Sequence, residues 1–458
     1  MHISVVLFTS DLRVHDHPPL RAAVSGADAV VPLFVRDRAI ADVSDAGPNR
    51  QAFLADCLAD LDRQLRDRGG RLVVRAGDLV GQVRQVVEAA DADEVHMAAG
   101  VSRYAHAREH RLREALERDG RRLYVHDAVV TALAPGAVTP AGSDHFAVFT
   151  PYFRRWTAQG VRAVLAAPRT VHVPDYIRSH PYPTREGMDG LSPGLAEGGE
   201  SAGRALWKAW LRNGIDQYTE NHDDLAGDAT SKLSPHLHFG TLSSAELVHG
   251  ARKRSSSRGA EDFVRQLCWR DFHHQVLAAR PHAAAADYRT RGDRWRTGEA
   301  ADADVRAWQD GATGFPVVDA AMRQLRHEGW MHNRARLLTA SFLTKTLYVD
   351  WRVGARHFQR LLVDGDLANN QLNWQWAAGT GTDSRPNRVL NPVLQAKRYD
   401  PDGTYVRRWV PELADLRGAA VHEPWKLAKE TRAEYDYPEP IVELSDGLAR
   451  FKQARGLE

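Results

Sequence analysis

The first 130 positions alternate between short apolar runs and amphipathic stretches. The runs cover 3–8, 29–35, 71–75, 94–97 and 122–126. Between them, 51–68 places Phe53, Leu54, Leu58, Leu61 and Leu65 near helical spacing, and Gly69-Gly70 closes that helix. Apolar runs alternating with helices predict a parallel, doubly wound sheet. Ligands in such sheets sit beyond the carboxyl ends of strands, so 9–13 and 36–38 are the segments to watch. No GxGxxG follows the first run, so a dinucleotide site of that kind has no support.

From about 130 to 193 the pattern loosens. Prolines at 135, 140, 151, 168, 174, 181, 183 and 193 favour turns and extended backbone, with room for one short helix near 153–164. This reads as a connector that wraps the surface. Beyond about 198 helical periodicity dominates. In 315–330, Val318, Ala321, Met322 and Leu325 share a face and Gly329 ends it. The expected class is α/β plus all-α: an α/β domain over 1–130, a connector over 131–197 and a helical domain over 198–458.

Composition changes this picture little. Hydrophobic content of 43% and charged content of 26% suit a globular protein, and 458 residues allow two or three domains. The net charge of +2 confines any nucleic-acid footprint to a local patch. Cys57 and Cys268 are the only cysteines and lie far apart, which argues against a zinc site and for a reducing, cytoplasmic setting. The N-terminus meets Asp11 too early for a secretory leader, and no apolar run reaches membrane-spanning length.

Candidate chemistry concentrates in 364–376, DGDLANNQLNWQW. Asp364, Asp366, Asn369, Asn370, Trp374 and Trp376 share thirteen positions. A solvated loop has no use for two indoles, and a core segment tolerates two carboxylates only with partners. The mixture suits a pocket wall, or equally a wet loop leading into a core helix. Nine of the twelve Trp lie at or after 269, in the helical half, where they also serve as ordinary core. Thr230-Ser231-Lys232-Leu233-Ser234 offers hydroxyls near a helix start, fit for phosphate or for a simple N-cap.

These motifs recur in fixed order: SDLRVHDHPPL (10–20), TSKLSPHLHFG (230–240), QLCWRDF (266–272), GWMHNRARLLTASFLTKTLYVDWR (329–352) and DGDLANNQLNWQWAAGTGTD (364–383). Over nearly its whole length the chain resembles the photolyase/cryptochrome family. The likeness is strongest to class I cyclobutane pyrimidine dimer photolyases, and RPNRVLNP (385–392) adds an actinobacterial flavour. The resemblance implies an N-terminal α/β antenna domain and a C-terminal helical domain that binds FAD. It implies light-driven repair of dimers in single- or double-stranded UV-damaged DNA by a monomer without protein partners.

On the same resemblance, Tyr218 and Thr230, Ser231, Lys232, Leu233 and Ser234 match the pyrophosphate-holding part. Arg270, Asn333, Arg336, Asp364 and Asp366 match positions around the flavin, and Asn370 the position facing its N5. Trp374, Trp351 and Trp295 match the chain of indoles that delivers electrons from the surface. Trp269 and Trp376 match the pair that flanks the extruded dimer, where each stacked base is worth about 1–3 kcal/mol. Lys232, Arg334, Arg388, Lys397 and Arg398 are candidates for phosphate contacts. For the antenna, Arg13, Phe34, Arg36, Asp37 and Arg50 fall at chromophore-contacting positions, with 8-hydroxy-5-deazaflavin favoured over methenyltetrahydrofolate.

Two positions depart from the family pattern. Gln266 stands where many dimer photolyases carry Glu; an amide can donate to a base but cannot supply or hold a proton. Six-four photolyases and animal cryptochromes also carry Gln there. Leu337 replaces a frequent Met at nearly equal volume. The rivals are a six-four photolyase, against which stands the missing His-Pro-His arrangement, and a signalling cryptochrome, against which stands the short tail ending at Glu458.

Overall fold

The computed structural model describes residues 1–41, 47–254 and 256–457. All five apolar runs are strands: β1 (Ile3–Phe8), β2 (Ala29–Asp37), β3 (Val73–Gly77), β4 (Glu94–Ala98) and β5 (Arg122–His126). They form one parallel sheet in the order β3-β2-β1-β4-β5. Every residue of β1 is buried, because helices cover both faces of the central strand. The order reverses between β1 and β4, so the topological switch point lies where Thr9–Arg13 leaves β1.

The helix expected at 51–68 runs Pro48–Arg66. It starts earlier because Pro48 has a preset φ and no amide to leave unpaired. The connector helix is Phe149–Gln159, earlier than the expected 153–164; Gly160 at φ +75° ends it. The connector divides its contacts. Val171 N donates to Arg68 O, Val30 N to His172 O and His180 N to Val74 O, which ties its second half to the α/β domain. Its first half packs on the helical domain through Asp271, as described below.

Regular helices of the second half begin with Glu200–Asn213. Two apolar cores lie here. One holds Trp308, Phe342, Trp351 and Phe358; the other holds Trp156, Trp207, Phe263 and Phe272. The Leu367–Ala378 helix is wedged between them: Ala368 and Leu372 enter one core, Trp374, Ala377 and Ala378 the other. This explains why that helix is apolar on more than one side yet carries Asn at its start. No helix among the described residues is long and apolar enough to cross a membrane.

Candidate cofactor and lesion site

Asp366 caps the Leu367–Ala378 helix by accepting from Asn369 N at 2.8 Å and from Asn369 Nδ2 at 2.6 Å. That fixes the Asn369 amide, whose Oδ1 accepts from His273 Nδ1 at 3.0 Å. His274 Nε2 lies 3.3 Å from Asp366 Oδ2. Thus two neighbouring histidines of the Arg258–Ala279 helix lock it against the start of Leu367–Ala378. Burial pushes the Asp366 carboxyl up, but His274, Arg270 and His238 outweigh it and hold the group well below the usual carboxylate range. Burial lowers His273 and His238 to about 4, so both imidazoles are neutral at pH 7.

Arg336 Nη2 donates to Asp364 Oδ2 at 2.8 Å and its Nε to Met331 O at 2.8 Å. The other Asp364 oxygen, Oδ1, is buried without a hydrogen-bond partner, as are Thr230 Oγ1 and His332 Nε2. Asn370 is buried and its Nδ2 donates to Ala355 O at 3.1 Å. A carbonyl only accepts, so the nitrogen of this amide must face Ala355 and its Oδ1 remains as an acceptor. A buried polar atom without a partner costs about 1–3 kcal/mol. The unspent acceptors Asp364 Oδ1 and Asn370 Oδ1 therefore fit a ligand with ring N–H and hydroxyl donors, as a flavin and its ribityl chain provide.

The rest of the expected cofactor set is varied. Tyr218 packs edge-on to Trp210 at 5.6 Å, and burial raises its hydroxyl pKa. Lys232 adopts φ +48°, and its Nζ sits 2.8 Å from Asp228 and 5.2 Å over Trp330. Ser234 Oγ accepts from Trp330 Nε1 at 3.1 Å, and Ser231 Oγ accepts from Leu233 N at 3.5 Å, with Leu233 itself buried. Asn333 is exposed at the start of the Asn333–Ser341 helix. Arg270 spends its two terminal nitrogens on Val130 O at 2.7 Å and Leu237 O at 3.1 Å. It ties its helix to Val130 and Leu237 and puts a buried positive charge near Asp366.

Trp374 is 3% exposed and touches Trp308 at 6.0 Å and Phe358 at 4.9 Å, both edge-on. Trp351 is fully enclosed; its Nε1 donates to Asp287 at 2.8 Å and Arg352 lies 4.7 Å over its ring. Trp295 is part-exposed and packs on Tyr348 at 5.0 Å. Trp374 and Trp351 are thus buried, and Trp295 is part-exposed. The ring contact of Trp374 with Trp308 had no counterpart in the sequence reading.

Gln266 and Trp269 stand one turn apart on the Arg258–Ala279 helix, Gln266 exposed and Trp269 part-exposed. Trp376 is part-exposed, with the Arg388 guanidinium 5.8 Å over its ring. Leu337 is part-buried on the Asn333–Ser341 helix. The basic candidates separate. Arg388 and Arg398 are exposed, the latter 5.1 Å over Tyr399. Arg334 grips Asp223 at 2.6 and 2.7 Å, and Lys397 is ion-paired with Glu423. Both are partly neutralised, because paired carboxylates were available from distant segments.

At the switch point, Asp37 accepts from Tyr104, beside the buried guanidinium of Arg108. Asp11 pairs with His17 at 2.9 Å, both fully buried. Sequence reasoning missed Tyr104, Arg108 and His17, for which only position after a strand was a signal. Three expected antenna residues are placed as follows. Arg13 is enclosed and donates to the carbonyls of His15, Asp16, Val129 and Gly240, so it clamps the domains together and presents no free charge. Phe34 belongs to the core with Val6, Phe8 and Phe53. Arg50 lies against Gly365: a methyl group there would meet its Nη1 at 2.6 Å. The helix bearing it docks on the helical domain through Asn49 Nδ2 and Leu361 O at 2.6 Å. Arg36 is exposed. No cluster among the described residues has the makings of a metal centre.

Comparison with known proteins places relatives along the chain. A family described as DNA photolyase matches residues 4–171, and one described as the FAD binding domain of DNA photolyase matches residues 263–456. A deoxyribodipyrimidine photo-lyase of Streptomyces griseus is 66% identical over 460 residues, covering 100% of both chains. One of Halobacterium salinarum is 36% identical over 480 residues, covering 98% of each. The crystal structure of a bacterial class III photolyase from Agrobacterium tumefaciens superposes with a TM-score of 0.91 at 30% identity, covering 100% of this chain and 97% of that one.

Proposed function

The chain belongs to the DNA photolyase family, and from that premise we propose how its residues divide the light-dependent repair of cyclobutane pyrimidine dimers. FAD, when bound and reduced, supplies the light-driven electron that opens the cyclobutane ring. Asp364, Arg336, Asn370 and the Thr230–Ser234 segment hold it. Asp364 Oδ1 and Asn370 Oδ1 would accept from its N–H and hydroxyl groups. Asp366 with His274 fixes the helix start from which Asn370 projects.

Trp269 and Trp376 flank the extruded dimer and return stacking lost from the duplex. Gln266 donates its amide hydrogens to the lesion bases and holds them in place without moving a proton. Trp374, Trp351 and Trp295 pass electrons inward from the surface. Arg388 and Arg398 meet phosphates directly; Lys232, Arg334 and Lys397 do so by exchanging their carboxylate partners. The single observation that carries the cofactor assignment is Asp364, a buried carboxylate with one oxygen paired to Arg336 and the other unspent.

The second chromophore in this reading is 8-hydroxy-5-deazaflavin, in the crevice at Asp37, Tyr104 and Arg108. Support comes from its place at the switch point of the sheet. The protein acts as a cytoplasmic monomer. The test is illumination of reduced, flavin-loaded protein with UV-irradiated oligothymidylate. Intact thymines should return; none returning while flavin is bound overturns the reading. The absorption spectrum of chromophores released on denaturation tests the deazaflavin.

A further inference from the structure

Phe149, on the connector helix, lies face to face with Trp269. The ring centroids are 3.7 Å apart and the planes differ by 4°. Phe149 is 5% exposed, so it is fixed in the protein and does not swing in solvent. Phe272 and His273 meet the same indole at 5.5 and 5.7 Å, edge-on and tilted. On the outer side, the Arg265 guanidinium lies 5.0 Å over Phe149 and 4.9 Å over Phe153.

The stack is bolted in place. Asp271 accepts from Trp156 Nε1 at 2.9 Å and from Leu133 N at 2.9 Å. Gln275 accepts from Phe146 N at 3.0 Å and donates to Phe146 O at 2.8 Å. All these partners lie on the connector, more than a hundred residues from the helix they hold. Within the Arg258–Ala279 helix only Phe272, edge-on, and His273, tilted, meet the indole of Trp269; the parallel ring of Phe149 fixes its plane from the connector. It also closes one of the two faces on which a base can stack.

We propose that Phe149 is a positioning residue for lesion recognition: it fixes the plane of Trp269 and leaves a single aromatic face for the extruded dimer. This rests on the reading that Trp269 flanks the lesion. Pre-setting the indole avoids a loss of side-chain freedom on binding, so the benefit falls on affinity and not on the bond-breaking step. The connector thereby becomes part of the lesion site.

The test compares Phe149→Leu, Phe149→Tyr, Trp269→Ala and the double variant Phe149→Leu/Trp269→Ala, each loaded with flavin. The readouts are binding of UV-damaged and intact oligothymidylate and the repair yield of the saturated complex. Phe149→Leu should bind damaged strands about three- to tenfold more weakly, as loss of an aromatic pair implies, with intact-strand binding, flavin content and repair yield unchanged. Phe149→Tyr should restore the affinity, and the double variant should bind no worse than Trp269→Ala. Unchanged damaged-strand affinity in Phe149→Leu, or equal losses for both strands with loss of flavin, overturns the proposal. If Trp269→Ala itself binds damaged strands normally, the reading of Trp269 fails and takes the proposal with it.

Discussion

The indole of Trp374 presses on the α-carbon of Gly354: a methyl group there would come 2.2 Å from the ring. The helix bearing Gly354, Trp351–Leu361, also carries Trp351, so two indoles of the proposed relay are referenced to one element. Gly354→Ala gains about 1 kcal/mol of helix propensity but forces overpacking worth about 1–3 kcal/mol. Trp308 and Phe358 block the ring's retreat, so the second effect wins. A net loss of stability by denaturant unfolding, with slower flavin photoreduction, is the expected outcome.

Trp374→Phe keeps an aromatic plug in the core but removes the oxidisable indole. Photoreduction of oxidised flavin should slow sharply, while repair by chemically reduced protein persists. Equal loss of both activities would show that Trp374 acts on the lesion and not on the relay.

Trp376→Ala removes a part-exposed indole and the seat under Arg388. Damaged-strand binding should weaken by about 1–3 kcal/mol, with little effect on photoreduction. A titration with damaged and intact oligothymidylate checks it; undiminished discrimination contradicts the role.

Asp366 is more acidic in the fold than in the unfolded chain, against the pull of burial, because His274, Arg270 and His238 face it. Its stabilisation is therefore complete above the unfolded carboxyl's pKa of about 3.9 and drains as pH falls below that value toward the lower folded one. Asp366→Ala should lose about 1 kcal/mol from the helix cap at pH 7. The variant should also show a shallower fall in unfolding free energy below pH 4 than the parent.

Lys345 is 2% exposed, and its Nζ donates to Arg388 O at 2.7 Å. Burial lowers it to about 8, opposed by Asp383 and reinforced by Arg455, Arg388 and Arg291. Between the folded value and the unfolded one of about 10.4, the unfolded chain binds more protons, so the lysine's contribution to stability rises with pH in that window. The difference in unfolding free energy between the parent and Lys345→Met should therefore grow in the parent's favour from pH 8 to 10. The gain is on the order of 2 kcal/mol. A flat difference would mean the ammonium is not buried as a charge.

Much of the fold was legible because its signals are local. The run Ile3–Phe8, apolar but for Ser4, reads as a covered central strand, and β5 keeps its expected bounds, Arg122–His126. Asp366 before a helix is a cap by its chemistry alone. The connector helix was misplaced because its start follows from Phe149 packing on Trp269, a distant residue, and not from any local cap.

The chain by itself determined the parallel sheet, the helical half, the positions of the indoles and the family to which they belong. Each depends on periodicity or on residues close in sequence. Tertiary structure alone decided which charges are spent and which remain. Arg13 is consumed by Gly240 O, 227 positions away, and Arg334 by Asp223, 111 away. Arg50 lies against Gly365, 315 positions away. No local propensity encodes such partners, since a long cationic side chain goes wherever folding brings an unsatisfied oxygen within reach.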